Sequence, residues 1–232
     1  MVDHSFLVPM YNSQDTIEST IKTLHDVGEK HFEKFEIIII DDCSSDKSFV
    51  ICLELAKKYD NITLIQNPHN LGFAQTYKIA LSKAIGQFVQ YVPSDDAINE
   101  ISLDALISNR HKDCAVLQYC YNCRERKFFR YLISSLYTHI VNFINSKNIK
   151  YYNGLNIYPR HIAQRAKLTS NNFSFQAELL LHVISDTNYV EVGTECRFTD
   201  ENSTALNYAN FLGVISYLLK SFFKNSLGAY RE

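Results

Sequence analysis

The sequence predicts an α/β protein with a mostly parallel sheet and helices on both faces of that sheet. Three observations support this. Short β-branched runs alternate with stretches of helical apolar spacing from the N-terminus to about residue 96. The run Ile37–Ile40 is continuously β-branched, as in a strand buried on both faces of a parallel sheet. Polar or acidic residues follow the first, second and fourth strands, at the sheet edge where such folds bind ligands.

The chain begins with a short strand and a helix. The apolar run Ser5–Val8 predicts the first strand, which we expect to end at Pro9 because proline has no N–H to donate to a sheet. The spacing of apolar residues over Asp15–Leu24 predicts the first helix. Ser13 is a candidate N-cap for that helix.

The second unit repeats this order. Phe35–Ile40 is the second predicted strand, and an acidic loop leads from it into a helix at Ser48–Tyr59. Ser45 or Asp46 would cap this helix. A third strand is expected at Ile62–Gln66.

The third unit leads to the fourth strand. The turn-rich segment 67–72 precedes a helix predicted over Phe73–Ala84, and Gly86 marks the end of that helix. The run Phe88–Val92 then predicts a buried strand. Pro93 must end it, because a proline cannot continue the hydrogen-bonded ladder.

Two adjacent carboxylates, Asp95 and Asp96, follow this proline. They could hold a hard divalent cation together with a diphosphate, since such cations prefer carboxylate oxygens. They could equally cap the next helix. A Gly-x-Gly-x-x-Gly fingerprint and a P-loop sequence are both absent, which argues against those two kinds of phosphate site.

Composition limits the class of protein. A chain of 232 residues with 46% hydrophobic content forms one large domain or two small ones. The net charge of -2 argues against a general nucleic-acid binder. Neither a secretory signal nor a transmembrane segment is expected, and six cysteines are most simply reduced thiols of a cytoplasmic protein.

Cys120 and Cys123 form one CxxC, but a zinc site would need a second pair, and Cys114 is the only other cysteine close by in sequence.

Three segments of the first half resemble glycosyltransferase family 2, whose members have the Rossmann-like GT-A fold: VPMYN (8–12), IIIIDDCSSD (37–46) and NLGFAQTYKIALSKAIGQFVQYVPSDD (70–96). The resemblance implies an inverting, metal-dependent transfer of a sugar from a UDP- or GDP-sugar donor. It implies that Asp95, with Asp96, holds Mg²⁺ or Mn²⁺ and that Asp95 is catalytic. Pro93 departs from the family, because it stands where the first acid of the family's Asp-x-Asp is expected. The nucleotide-binding residues implied by the resemblance are Pro9, Tyr11, Asn12, Asp41, Asp42, Asn70, Gly72, Ser94 and Asp95.

Later segments resemble the dolichyl- or polyprenyl-phosphate sugar synthase branch of this family: YYNGLNIYPRHI (151–162), FSFQAELLLHVI (173–184), YVEVGTECRF (189–198) and NSTALNYANF (202–211). The resemblance implies a lipid-linked or saccharide acceptor and a catalytic role for Glu178. Gly193 and Thr204 depart from the Pro and Lys of the branch. The resemblance implies acceptor contacts from Asn153, Gly154, Arg160 and Arg197. We expect one continuous domain with a nucleotide-sugar half at 1–110 and an acceptor half, ending in a helical segment, at 111–232.

Two apolar stretches, Phe128–Ile144 and Phe211–Phe223, allow two interpretations. Either they are core or dimer helices, or they lie in a membrane interface beside a lipid-linked acceptor. The protein would then be cytoplasmic and peripheral at the inner face of the cell membrane, and a second copy of the chain is a further candidate partner. A non-catalytic nucleotide-sugar-binding or scaffold protein of the same fold is the alternative function, and Pro93 is the feature that favours it.

Overall fold

The computed structural model of the chain describes residues 1–123, 128–172 and 174–196. The strands in these ranges are β1 (His4–Met10), β2 (Phe35–Asp41), β3 (Ile62–Gln66), β4 (Phe88–Tyr91), β5 (Cys114–Cys120), β6 (Ile157–Pro159) and β7 (Asn188–Thr194). The helices are α1 (Ile17–His31), α2 (Ser48–Lys58), α3 (Phe73–Lys83), α4 (Glu100–Ser108), α5 (Phe128–Asn145), α6 (Arg160–Ala163) and α7 (Ser174–Asp186).

The described strands form one sheet in the order β3-β2-β1-β4-β6-β5-β7. Every pairing is parallel except those of β6, which runs antiparallel to both β4 and β5. The prediction of a mostly parallel α/β sheet is therefore confirmed. The C-terminal ends of β2, β1 and β4 lie side by side at one edge.

Strand β1 runs through Pro9, so the expectation that it ends there is wrong. Pro9 pairs with Ile40 of β2, and the strand continues to Met10. Leu7 directs its carbonyl towards β4, where it accepts the Val92 N–H at 2.9 Å. Pro9, two residues on, directs its nitrogen to the same side, beyond the last paired residue of β4. The proline therefore interrupts none of the residue pairs between β1 and β4, which is consistent with its place in this strand.

Helix α1 begins at Ile17, two residues later than expected, and extends to His31. Ser13 does not cap it with its side chain, so that expectation is also wrong. The Ser13 carbonyl accepts the N–H groups of Thr16 and Ile17, while its hydroxyl is bonded elsewhere. In α2 the carboxylate of Asp46 accepts the Ser48 N–H at 2.9 Å, which makes Asp46, rather than Ser45, the residue that stabilises that helix start.

The sheet separates two apolar cores, as expected for helices on both faces. Alternate residues of β2 point to opposite sides. Ile37 and Ile39 pack in one core with α1, α2 and α4, whereas Ile38 and Ile40 pack in the other with α3 and α7. All four isoleucines are buried, and each such burial stabilises the fold by ~2 kcal/mol.

The stretch expected at Phe128–Ile144 forms α5, an amphipathic helix. Val141 is fully buried, whereas Phe128, Leu132, Leu136 and Phe143 are exposed. In the ranges given above, no helix is both long enough and apolar enough to cross a bilayer. The second apolar stretch, Phe211–Phe223, lies outside the described residues.

Candidate functional site

Three polar loops meet at the C-terminal edge of the sheet. They follow β1, β2 and β4, and the parallel pairing of these neighbouring strands brings them together. This edge is where ligands bind in open α/β sheets. Most of the predicted nucleotide and metal residues lie in these three loops or in segment 67–72.

The loop after β1 is bonded to the loop after β2. The Asn12 N–H donates to Ser44 Oγ at 2.9 Å, and Asn12 Oδ1 accepts the Ser45 N–H at 2.9 Å. Asn12 has a φ of 49°, a conformation that asparagine adopts more readily than most residues. The ring of Tyr11 beside it is half exposed, whereas Pro9 is buried within β1. Of these predicted residues, Tyr11 thus presents an open aromatic surface at the edge.

Asp41 is fully buried at the end of β2. Its carboxylate accepts hydrogen bonds from Ser44 Oγ at 2.5 Å and Gln66 Nε2 at 2.8 Å. These bonds fix the loop after β2 against the end of β3. Asp41 therefore shapes the site wall through Ser44, which in turn holds Asn12.

Asp42 holds segment 67–72. Its carboxylate accepts hydrogen bonds from Asn67 Nδ2, the Leu71 N–H and the Gly72 N–H, each at 2.8 Å. Asp42 is only 4% exposed, so these protein donors take the place of water. A nucleotide-binding role for Asp42 stays a prediction, and the structure gives this carboxylate a loop-anchoring role.

Gly72 precedes α3 with a φ of 81°. An added Cβ would meet no atom within 4 Å, so the backbone conformation rather than space requires glycine here. Asn70 is exposed on the same segment. Both lie on the loop that Asp42 anchors, next to the strand ends.

The acidic loop after β4 is fixed at Ser94. The Ser94 hydroxyl lies 2.7 Å from Ser13 Oγ, and its carbonyl accepts the Thr16 hydroxyl at 2.7 Å. Ser94 is buried, whereas Asp95 is exposed, with its Oδ1 3.3 Å from the Ala97 N–H. Ser94 thus positions the loop, and Asp95 presents its carboxylate to solvent.

Asp96 follows Asp95 in the acidic loop, and Tyr91 at the end of β4 is close enough to sense the Asp95 charge. Asp96 is half-buried with a φ of 56°. Burial, and then the negative charge of Asp95, raise the pKa of Tyr91, so this hydroxyl stays neutral. The Tyr91 ring packs 5.2 Å from the ring of Phe73, so a neutral aromatic pair lies below the C-terminal end of β4.

The predicted acceptor residues divide between opposite edges of the sheet. Asn153 and Gly154 precede β6, so antiparallel pairing with β4 brings them near the acidic edge. Asn153 Oδ1 is buried and has no hydrogen-bond partner among the described residues. An added Cβ at Gly154 would lie 2.3 Å from the Gln118 carbonyl oxygen, so the loop packs directly on β5.

Arg160 lies at the opposite edge, which corrects the expectation that it joins the acceptor site. It follows β6, and its Nε donates to the Gly86 carbonyl at 2.7 Å, just before β4 begins. Because β6 runs antiparallel to β4, the residue after β6 reaches the start of β4 and not its end. Arg197 lies outside the described residues.

Glu178 lies on α7 and is half-buried. Its carboxylate accepts four hydrogen bonds, from the N–H and hydroxyl groups of Thr169 and Ser170, at 2.7–3.0 Å. Lys78 Nζ donates to the Ser170 carbonyl at 2.8 Å from the other side. Burial lowers the pKa of Lys78, and the charge of Glu178 opposes that shift. Glu178 and Lys78 thus fix the segment before α7; a catalytic role for Glu178 remains a prediction.

Comparison with known proteins places this geometry in a family. The family model described as glycosyl transferase family 2 matches residues 5–173, more than half of the chain. This chain belongs to glycosyl transferase family 2. The match covers all three strand-end loops and the acceptor-side loop before β6.

Two curated relatives of this family 2 chain carry names with different acceptors. TarS of Staphylococcus aureus strain Mu50, a poly(ribitol-phosphate) beta-N-acetylglucosaminyltransferase, is 33% identical over 127 residues, which are 51% of this chain and 21% of TarS. A dolichyl-phosphate beta-glucosyltransferase of Trichomonas vaginalis, ALG5D, is 31% identical over 113 residues, covering 47% of this chain and 34% of the relative. The chain therefore matches well under half the length of either relative.

A solved structure confirms the GT-A fold. Glucosyl-3-phosphoglycerate synthase from Mycobacterium tuberculosis, crystallised with Mn²⁺, UDP and phosphoglyceric acid, superposes with a TM-score of 0.68 at 16% identity. The alignment covers 95% of this chain and 78% of the synthase. At that identity the likeness concerns the fold.

The acidic loop of this family 2 chain fits a divalent cation. Asp95 and Asp96 offer carboxylate oxygens, the ligands that Mg²⁺ and Mn²⁺ prefer. Within the described ranges, no three His, Cys, Asp or Glu side chains surround a common metal position. Two carboxylates leave most coordination positions to other oxygens, which suits a cation that is bound jointly with substrate phosphates.

Four residues that position this site were not among the predicted site residues. Ser13, Thr16 and Ser44 join the three loops, and Asn67 completes the anchorage of segment 67–72 through Asp42. Hydroxyl and amide side chains just after parallel strands are a usable signal, because they commonly bond to nearby backbone groups. The contacts that join one loop to another span 25 to 81 residues of sequence, so the sequence does not identify these partners.

Proposed function

We propose that this chain is an inverting, metal-dependent glycosyltransferase that takes a sugar from a nucleotide-sugar donor. The observation that carries the proposal is the meeting of three interbonded polar loops at one sheet edge, with the exposed carboxylate of Asp95 among them, in a family 2 chain. A divalent cation on Asp95 and Asp96 would stabilise the negative charge of a leaving diphosphate.

The proposed donor is a UDP-sugar, with a GDP-sugar as the alternative. The half-exposed ring of Tyr11 would stack on the base, and segment 67–72, held by Asp42, would form the wall beside it. A solved TarS structure contains UDP-GlcNAc, and the Mycobacterium synthase contains UDP with Mn²⁺. Both are consistent with uridine as the base.

Inversion at the anomeric carbon of the transferred sugar follows from placing the acceptor opposite the leaving diphosphate. The acceptor side would be the loop before β6, where Asn153 Oδ1 has no donor among the described residues and could accept a hydrogen bond from the acceptor. The residues of this loop orient the acceptor rather than move protons. Orientation of two reactants alone lowers the barrier substantially.

We infer that a lipid-linked phosphate is the first candidate acceptor. A phosphate is already anionic near neutral pH and needs no general base, whereas a sugar hydroxyl does. Glu178, the catalytic carboxylate predicted in the acceptor half and hence the candidate for such a base, already accepts four hydrogen bonds. The exposed apolar residues of α5, which recur on one helix face, would lie in the membrane interface beside a lipid acceptor.

A saccharide or polyol hydroxyl is the second candidate acceptor, and its support is the curated match to TarS, a poly(ribitol-phosphate) transferase. A non-catalytic nucleotide-sugar-binding protein is the remaining alternative. It is favoured by Pro93, which leaves the acidic motif with one acid fewer than the family's Asp-x-Asp.

The test is a transfer assay with radiolabelled UDP-glucose, UDP-GlcNAc and GDP-mannose. Each donor is offered a polyprenyl phosphate in vesicles and a soluble poly(ribitol phosphate), with and without Mn²⁺. We expect transfer to the lipid from one UDP-sugar, with metal, and loss of transfer in Asp95→Asn. Binding of the vesicles should weaken in Leu132→Glu. A donor that binds without transfer to any acceptor would favour the non-catalytic alternative.

A further inference from the structure

Three thiols lie close together on the acceptor side, and the proposed chemistry uses none of them. Cys120 ends β5, Cys123 follows it, and Cys196 comes just after β7. Parallel pairing sets Cys120 opposite Thr194, so Cys196 leaves the sheet two residues beyond that pair. None of the three forms a disulfide in the structure, and all three are partly accessible.

Asn122 holds Cys120 and Cys196 against each other. Its Oδ1 accepts the Cys120 thiol at 2.8 Å and the Cys196 N–H at 3.0 Å, while its Nδ2 donates to the Cys196 carbonyl at 3.1 Å. A hydrogen bond between the two thiols, and then burial, raise the pKa of Cys120. The negative charge that Cys123 would carry adds a smaller contribution, which places this third thiol nearby as well.

The thiol cluster is connected to the acceptor-side loop by one side chain. Gln118 Nε2 donates to Cys196 Sγ at 3.2 Å and to Thr194 Oγ1 at 2.9 Å. Gln118 Oε1 accepts the Leu155 N–H at 3.1 Å, and the Gln118 carbonyl packs against Gly154. A change in the position of Cys196 would therefore reach the loop before β6 through Gln118.

We propose that Cys120 and Cys196 are a reversible redox pair that closes into a disulfide and thereby adjusts the acceptor side of the site. The same Asn122 oxygen contacts both the Cys120 thiol and the Cys196 N–H, so a modest side-chain movement would bring the two sulfurs to the S–S bond length. Cys123 is a neighbour of the pair and not a member of it. The effect on transfer rests on the proposed function; the disulfide does not.

The oxidant is a small disulfide such as oxidised glutathione. The Cys196 thiolate attacks one glutathione sulfur and releases the other glutathione as a thiolate. The Cys120 sulfur, after losing its proton to solvent, then attacks the Cys196 sulfur and releases the second glutathione. Two protein thiols are oxidised, and one glutathione disulfide is reduced to two thiols.

The experiment treats the full chain with oxidised glutathione and maps disulfides by mass spectrometry of unreduced peptides. We expect a Cys120–Cys196 cross-link that dithiothreitol removes, with two fewer titratable thiols in the denatured protein. The Cys123→Ser variant should still form it, and Cys196→Ser should not. A Cys120–Cys123 link, or mixed disulfides without a link, would overturn the proposal. The result on wild-type protein needs no variant to fold.

Activity is measured on the same samples. Oxidation should change the acceptor KM by about threefold or more, reversibly, without changing the thermal shift produced by the donor nucleotide. A disulfide that forms without altering the acceptor KM would overturn the regulatory part of the proposal. If neither redox state transfers sugar, the mapped disulfide still supports the redox pair, and the failure lies with the proposed function.

Discussion

Ser13 Oγ and Ser94 Oγ lie 2.7 Å apart, although 81 residues separate them along the chain. This contact joins the loop after β1 to the acidic loop after β4. Because Asp95 follows Ser94 directly, the contact sets where the exposed carboxylate stands relative to Tyr11 and Asn12. The nucleotide side of the site is thus held by hydroxyl groups that have no direct part in the proposed chemistry.

Replacing Ser94 with Ala should weaken metal-dependent nucleotide binding with little loss of stability. The Thr16 hydroxyl still holds the Ser94 backbone carbonyl in this variant, so the loop keeps one of its two anchors. One hydroxyl bond contributes about 1 kcal/mol, which corresponds to roughly fivefold in Kd. Titration calorimetry with UDP and Mn²⁺ measures the change.

Ser19→Ala, which removes an exposed hydroxyl on α1, is the matched control and should bind as wild type does. Unchanged affinity in Ser94→Ala would mean that the Ser13–Ser94 contact does not position Asp95.

The Asp42→Asn variant should lower the free energy of unfolding by about 2–3 kcal/mol. The Asp42 carboxylate accepts three hydrogen bonds while buried, and a carboxamide would turn an N–H₂ group towards one of those donors. Urea unfolding monitored by circular dichroism measures the loss. The exposed Asp60→Asn should change stability by less than about 0.5 kcal/mol. Equal effects of the two substitutions would refute the anchoring role of Asp42.

Stability should fall as the pH drops below 6.5 because of His4. His4 is fully buried beside Arg110, and burial, with the charge of Arg110 second, lowers its pKa from 6.5 to about 3. Between those values the unfolded chain binds a proton that the folded chain excludes. The contribution of neutral His4 to the free energy of unfolding is therefore complete above pH 6.5. It is lost as the pH falls towards 3, at up to about 1.4 kcal/mol per pH unit.

Urea unfolding of wild type and His4→Gln at pH 7.0, 6.0 and 5.0 measures this dependence. The variant should lose less stability per pH unit than wild type, whatever its stability at neutral pH. His111→Gln, at an exposed histidine, should keep the wild-type slope. Parallel slopes for wild type and His4→Gln would contradict a neutral buried His4.

The Glu178→Gln variant separates the two acceptor classes. The four hydrogen bonds to the Glu178 carboxylate predict a positioning role, so backbone amides of Thr169 and Ser170 should exchange with solvent faster in the variant. Transfer to a phosphate acceptor should keep kcat within about tenfold and retain its pH profile, whereas loss of a general base costs about 10²–10⁴-fold. The exposed Glu54→Gln is the control. A kcat loss of that size with a flattened pH profile would make Glu178 the base.

The sequence predicted the first four strands and three helices well, because apolar runs and strand-ending residues repeat in a regular order there. The predicted ends of strands and helices were wrong where tertiary contacts determine them. Pro9 stays in β1 because β4 has already ended on that side. Ser13 is not a cap because its hydroxyl bonds to Ser94, which no local pattern reveals.

The acceptor side was harder to predict for a topological reason. Strand β6 has only three residues and runs antiparallel to its neighbours, so it is too short to show a periodic apolar pattern in the sequence. Its direction decides that Gly154 reaches the acidic edge and that Arg160 does not. The family resemblance pointed to Glu178 and the strand-end position to Asp42. Their hydrogen-bond donors, and hence their anchoring roles, come from loops that only the fold brings together.

The most direct test of the central proposal is a thermal-shift comparison of UDP with and without Mn²⁺, on wild type and Asp95→Asn, with Asp60→Asn as the control. A nucleotide at about 100 times its Kd adds about 2.7 kcal/mol of stability, which is readily measured. We expect UDP to raise the Tm of wild type and Asp60→Asn only with metal, and to leave Asp95→Asn unchanged. An equal shift without Mn²⁺, or in Asp95→Asn, would contradict a metal-dependent donor site at this carboxylate.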